Sequence, residues 1–375
     1  MADLPALPPD VVALCDHERV AANRLPEAAW AYFQGGAADE QTLADNRAAW
    51  HAWRLKPRVL RDLTGGHTRV SLFGRTCAHP ILLAPVAFQR MAHPDGELAS
   101  AVAASAQGAG LVLSSQASVP LEMVAQAIGG DAGRGPLWFQ LYIQHDRVFT
   151  LDLVRRAERA GYEALVVTVD APATGARDRE RRAGFAVPPG IDAVNLRGLA
   201  PWPAPALQAG QSAMFDGLLH QAPTWRDIAW LRDATPLPIV LKGILHEDDA
   251  RLARDHGVQG LIVSNHGGRT LDTAVPTAAA LPAIAAAVGD DLTVMVDGGI
   301  RRGTDVLKAV ALGARAVLVG RPQVHGLATA GALGVAHVLR LLRDELEIAM
   351  ALSGVRTLDN IDPDLLQPDR PSLTR

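Results

Sequence analysis

The chain has 375 residues, 49% of them hydrophobic and 20% charged, so it can bury a sizeable core and does not have the composition of a disordered polymer. Its 36 basic and 40 acidic residues leave a formal charge of −4. With no basic excess to displace phosphate counterions, nucleic acid and anionic membrane surfaces are not expected as partners.

Only two cysteines occur, Cys15 and Cys77, which argues against a disulfide framework or a paired-cysteine zinc site; no metal is expected. Residues 1–9 lack a basic stretch followed by an apolar one, so no signal peptide is read. No window reaches the roughly 18 uninterrupted apolar residues of a spanning helix. Even the Ala-rich stretch at 281–288 is broken by charge soon after. The expectation is a soluble, cytoplasmic chain without membrane association.

Residues 1–79 read as an N-terminal extension with helical stretches at 26–33 and 40–53. From residue 80 one unit recurs: a short apolar run, a polar or Gly-rich turn, then an Ala/Leu-rich helical stretch. The runs are 80–87 (PILLAPVA), 110–115 (GLVLSS), 136–142 (PLWFQLY) and 164–170 (ALVVTVD). Four more follow at 238–244 (PIVLKGI), 260–266 (GLIVSNH), 293–299 (TVMVDGG) and 316–322 (AVLVGRP). Each is what a strand buried on both faces requires, and helical patterns such as 151–160 and 248–255 lie between them. Eight such repeats point to an α/β fold of the (β/α)8 TIM barrel type over 80–357, with 358–375 as a C-terminal tail.

Between the fourth and fifth strands lies an insertion, 182–224, rich in Pro, Gly and Ala. A βα connection normally takes about 2–6 residues, so this one is read as an active-site lid, with an inert surface loop as the alternative. Trp202, Phe215, Leu218 and Leu219 are its candidates for covering a pocket.

On such a barrel the C-terminal strand ends build the active site. Here they carry Gln140 and Tyr142, Thr168 and Asp170, Lys242, Ser264 with Asn265 and His266, Asp297 with Gly298 and Gly299, and Gly320 with Arg321. The loops DGGIRRGTD (297–305) and VGRP (319–322) combine glycines, arginines and a helix start at Thr304 or Asp305. That is the make-up of a barrel phosphate site, although the glycines alone could serve only tight turns. In SNHGGRTLD (264–272), His266 suits a general base and Arg269 suits carboxylate capture. The plainer reading is a buried histidine bonded to backbone and a surface salt bridge. Asp170 is either the carboxylate partner of His266 or a helix cap. Lys242 is a Schiff-base amine, a charge stabiliser or a snorkelling core lysine.

With these residues in place the chain resembles the FMN-dependent L-2-hydroxy acid oxidases and dehydrogenases, the glycolate oxidase family. The motifs are LAPVAFQRMAHPDGE (83–97), FQLY (139–142), TVDAP (168–172), LKGI (241–244), SNHGGRTLD, DGGIRRGTD and VGRP, and the likeness runs from about residue 25 to about 357. The resemblance implies that His266 is the catalytic base, Asp170 its partner, and Arg177 and Arg269 the holders of the substrate carboxylate. It implies that Tyr32 and Tyr142 touch substrate and that Lys242 stands beside the flavin. Pro85, Val86, Ala87, Ser114, Gln140, Thr168 and Ser264 would contact the ring and ribityl chain of FMN. Asp297, Gly298, Gly299, Arg301, Gly320 and Arg321 would hold its ribityl and phosphate end.

The chain departs from the pattern at Gln116, where glycolate oxidases carry a tryptophan facing the substrate side chain, and at Ala176 and Thr270. The implied reaction oxidises an (S)-2-hydroxy acid to the 2-oxo acid. Reoxidation by O2 would give H2O2, whereas a quinone or other acceptor would define a dehydrogenase. A homotetramer or larger assembly is implied. The rival readings are a Schiff-base aldolase using Lys242 and a non-catalytic flavin- or phosphate-ligand sensor.

Overall fold

The computed structural model describes residues 6–203, 205–361 and 363–369. All eight apolar runs form strands: β1 (Ile81–Leu83), β2 (Gly110–Ser114), β3 (Leu137–Leu141), β4 (Leu165–Thr168), β5 (Ile239–Ile244), β6 (Gly260–Val263), β7 (Thr293–Val296) and β8 (Ala316–Val319). They pair in parallel and in chain order, and β8 returns to β1 to close the barrel. Most strands are shorter than their apolar runs because the polar ends bend away into loops. Asp170, His266 and Asp297 thus stand just beyond β4, β6 and β7 rather than within them.

Each strand is followed by a helix: α1 (Gly96–Gln107), α2 (Leu121–Ile128), α3 (Arg147–Ala160), α4 (Trp225–Ala234), α5 (Glu247–Asp255), α6 (Thr277–Val288), α7 (Gly303–Ala311) and α8 (Arg321–Ser353). The helix α3 shows why these segments are helical. Asp146 caps its start by accepting from the amides of Val148 (2.8 Å) and Phe149 (3.0 Å), so it begins four residues earlier than its apolar pattern. Thr150, Leu153, Val154 and Ala157 form its buried face at helical spacing. α7 likewise starts at Gly303, ahead of the expected Thr304 or Asp305, because the Asp305 carboxylate accepts from the amides of Arg301 and Arg302 at 3.0 Å each.

α8 is two helical pieces joined at non-helical Ala330 and Gly331. By length and composition alone it could cross a bilayer, although it holds no run of 18 uninterrupted apolar residues. However, 67% of its most apolar window is buried within the fold.

The N-terminal extension is more than helical. Beside helices Leu14–Arg24, Glu27–Gln34 and Gln41–His51 it carries a hairpin, Val70–Leu72 with Arg75–Cys77. Phe73, at the tip of that hairpin, packs on the Trp138 ring (centroids 5.3 Å apart) and on Gly260, at the start of β6. The hairpin thereby covers the barrel end opposite the polar strand ends. Within the segment read as a C-terminal tail, Leu366–Pro368 pairs antiparallel with Trp53–Leu55.

Helix Gln41–His51 serves the opposite end. Asn46 and Asn265 bond through their amides, Trp50 Nε1 donates to the carbonyl of Gly298 (2.8 Å), and Lys308 Nζ donates to the carbonyl of Trp50 (2.8 Å). One helix of the extension therefore clamps the loops after β6 and β7.

Candidate active site

A cavity of about 1130 Å³ lies at the C-terminal ends of the strands. Parallel register aligns its floor: Ser114 pairs with Gln140, and Thr168 with Lys242. Gln140 Oε1 accepts from Ser114 Oγ (3.2 Å), and Gln140 Nε2 donates to Thr168 Oγ1 (3.0 Å), giving a polar edge across three strands. Pro85, Val86 and Ala87 line the same cavity after β1.

Lys242 ends in a buried network. Its Nζ lies 3.0 Å from Asp297 Oδ2 and donates to Ser264 Oγ at 2.9 Å. Burial alone would drive its pKa down, but the carboxylates of Asp297 and Asp170 outweigh it and hold the pKa above the ordinary value. A lysine held charged between two carboxylates suits a charge stabiliser better than a Schiff-base amine, which must lose its proton to attack. Ser264, expected to touch the cofactor, stands directly beside Lys242 Nζ. It is fully buried, and its hydroxyl also accepts from the amide of His266 (3.1 Å).

His266 has φ +57°, a left-handed conformation unusual for a residue with a side chain, and two left-handed glycines, Gly267 and Gly268, follow it. Its Nδ1 lies 2.9 Å from Asp170 Oδ1. Burial pulls the imidazole below its ordinary pKa, against the raising influence of Asp170. For Asp170 burial acts upward, but the His266 hydrogen bond and the nearby positive charges outweigh it and keep the carboxyl ionised. An ionised acceptor at Nδ1 places the ring hydrogen there and leaves the lone pair on Nε2. Gly243 makes room for this pair: a Cβ there would stand 2.4 Å from Asp170 Cβ.

Arg177 and Arg269 both reach the cavity and converge on a carboxylate absent from the sequence-based reading, that of Glu180. Glu180 Oε1 lies 3.3 Å from Arg177 Nη1 and 3.1 Å from Arg269 Nη2. Arg269 is fixed further by donating to the carbonyls of Tyr32 (2.5 Å) and Gly35 (2.8 Å). Its guanidinium also lies over the Tyr32 ring, 5.0 Å from the centroid. Tyr32 stacks on Phe185 at 4.6 Å. Burial pushes the Tyr142 hydroxyl up to about 12, so it remains a donor at neutral pH. The signal for Glu180 was legible: it lies three residues after Arg177, which caps the start of the short helix Asp178–Arg182.

At the other end of the cavity lie Asp297, Gly298, Gly299, Arg301, Gly320 and Arg321. Gly299 (φ +79°) is required chiefly by the extension helix, since a Cβ there would lie 2.1 Å from the carbonyl oxygen of Asn46. Arg321 donates to the carbonyls of Gln34, Gly267 and Gly35 at 3.2, 2.9 and 2.8 Å. Arg301 is pushed down to about 10 by burial, and its Nε finds no hydrogen-bond partner among the described residues; neither does Asp297 Oδ1. A buried guanidinium so placed, next to the start of α8, calls for an anion.

The insertion contributes Phe185, Trp202, Leu218 and residues 222–224 to the lining. Trp202 packs edge-on against His145 at 5.1 Å. Phe215, a candidate cover, is instead 74% exposed, and Leu219 does not reach the cavity. Gln116 lines it, as expected from its place after β2.

The chain matches the FMN-dependent dehydrogenase family over residues 21–368. It belongs to that family. It is 49% identical to L-lactate oxidase of Alicycliphilus denitrificans across 96% of this chain and 98% of that protein. It is 43% identical to glycolate oxidase of Spinacia oleracea, across 94% of each. Among solved structures, mandelate oxidase with (S)-2-phenylpropionate superposes with a TM-score of 0.85 at 45% identity, covering 95% of this chain and 98% of that one. A mandelate oxidase variant with the C4a-OH-FMN adduct gives 0.83 at 44% identity, covering 94% and 98%.

As a member of the FMN-dependent dehydrogenases the chain uses FMN, and its residues fit that group. The unpartnered Arg301 Nε and the helix start at Gly320 suit the phosphate, and the buried Asp297 oxygen suits a ribityl hydroxyl. The Ser114–Gln140–Thr168 edge and charged Lys242 suit the ring.

Proposed function

We propose that this chain oxidises an (S)-2-hydroxy acid to the 2-oxo acid, with O2 as final acceptor and H2O2 as product. The observation that carries the reading is the pairing of His266 with Asp170 at 2.9 Å on a cavity into which two arginines also point. Arg177 and Arg269 would hold the substrate carboxylate, and Tyr32 and Tyr142 would border the reacting carbon. Fixing the acid in one orientation lowers the entropic part of the barrier by several kcal/mol, on the order of 7–11 when the geometry is near attack.

His266 Nε2 would receive the proton released from the substrate. Neutral before the step and cationic after it, the imidazole is stabilised as it charges by the ionised Asp170. FMN, when bound, supplies the two-electron acceptor. Lys242 would offer a fixed positive charge beside it, held in place by Asp297 and Ser264. Walls such as Phe185, Trp202 and Leu218 would keep water from the reacting carbon.

The choice of O2 over a quinone or another acceptor is supported by relatives named as oxidases. A cytoplasmic location and a homotetramer or larger assembly, acting away from membranes, complete the proposal; the free thiols Cys15 and Cys77 agree with a reducing compartment. Anaerobic mixing with glycolate, lactate and mandelate should bleach the flavin, and air should restore it with release of peroxide. His266→Ala should retain FMN and lose turnover by orders of magnitude. Near-normal turnover would overturn the base assignment, and sedimentation of the holoenzyme reads the assembly.

A further inference from the structure

The two arginines of the substrate site already share a carboxylate supplied by the chain. Arg177 and Arg269 are 18% and 14% exposed, and Glu180, between them, is 13% exposed. One oxygen, Oε1, serves both. Each arginine spends one terminal nitrogen on it, and Arg269 Nη1 is turned to backbone carbonyls, as is Arg177 Nε (3.4 Å from the Arg269 carbonyl). Arg177 Nη2 and Arg269 Nε keep donors for a ligand. Arg179, on the same short helix, pairs with Glu40 and adds no charge to the site. The balance at the clamp is two positive charges and one negative.

A substrate monocarboxylate brings that balance to zero. On a short ligand, whose second carboxylate must stay beside the first, that second charge would be in excess at the clamp and repelled by Glu180, whose burial leaves little water to screen it.

We propose that Glu180 is a positioning and specificity-determining residue: it holds Arg177 and Arg269 side by side in the free enzyme and makes the site select monocarboxylic over dicarboxylic 2-hydroxy acids. The inference rests on the reading of Arg177 and Arg269 as the carboxylate site. It concerns binding, so it can be tested without turnover.

Oxalate and oxamate have nearly the same shape, and at neutral pH the first carries two negative charges and the second one. Titrating each into the FMN-loaded protein and following the flavin absorbance gives the ratio of their affinities. Glu180→Gln should raise the oxalate-to-oxamate ratio by about tenfold or more, because one unit of repulsion a few ångströms away is removed. Glu180→Asp, which keeps the charge, should leave the ratio near that of the parent. If the Gln variant loses its flavin, Glu180→Ser, neutral and too short to bridge the arginines, carries the same comparison. A ratio unchanged within twofold in the neutral variants overturns the proposal, as does an Asp variant that behaves like the Gln variant. Failure of every 2-hydroxy acid to reduce the parent flavin would instead count against the proposed reaction and leave the binding ratio readable.

Discussion

Asn46 and Asn265 stand 219 positions apart and exchange two amide hydrogen bonds of 2.8 Å each. Both are buried, and Asn46 Oδ1 also faces the amide of Thr277 at 3.3 Å. Because Asn265 directly precedes His266, this exchange links the N-terminal extension to the catalytic base. Asn46→Ala would leave buried donors and acceptors unmet. The expected loss is about 1–3 kcal/mol in denaturant unfolding, with a lower kcat as the His266 loop loosens. An unfolding midpoint equal to that of the parent would contradict the clamp.

Asp170→Asn tests the direction of the His266 shift. Burial lowers the imidazole pKa, while the Asp170 hydrogen bond and charge raise it. Removing the charge removes a raising influence, so the acid limb of kcat/KM should move to lower pH. The same change withdraws stabilisation from the imidazolium formed in the reaction, and kcat should fall by about 10²–10⁴. Steady-state rates across pH read both effects, and an acid limb moving upward would reverse the assignment.

The Lys242–Asp297 pair is a buried ion pair, its side chains 5% and 9% exposed. Lys242→Met would strand the Asp297 carboxylate, at an expected cost of about 3–5 kcal/mol in the flavin-free protein. Adding Asp297→Asn should recover part of that loss, so the double variant should be more stable than the single one. Additive losses in the two single variants and the double variant would show that the pair is not coupled.

Gln116 lines the cavity beyond β2, at the position where glycolate oxidases carry tryptophan. Filling it should exclude bulky substrates. Gln116→Trp is expected to lower kcat/KM for mandelate by about tenfold or more relative to glycolate, a steric loss of roughly 1–3 kcal/mol. Equal effects on both acids would place the substrate side chain elsewhere.

The barrel was legible because a strand buried on both faces must be apolar throughout, and the first polar residue after it marks a loop at the mouth. Asp170 and Asp297 were found that way, Lys242 and His266 as polar residues near the same strand ends, and the pairing of Asp170 with His266 was one of two readings their chemistry allowed. The Phe73 hairpin escaped notice since its strands have three residues each, too few for a pattern.

What the residue order determined by itself was the repeat, a phosphate-binding make-up and the identity of the groups at the strand ends, all properties of local composition and spacing; FMN was implied by the likeness of the motifs to a known family. Only the folded chain decided which of these groups meet. Glu180 between two arginines, Asn46 against Asn265 and Lys242 against Asp297 depend on loops brought together by barrel closure. Charges and amides removed from water must find partners across the chain, and which partners lie within reach is a matter of three-dimensional position.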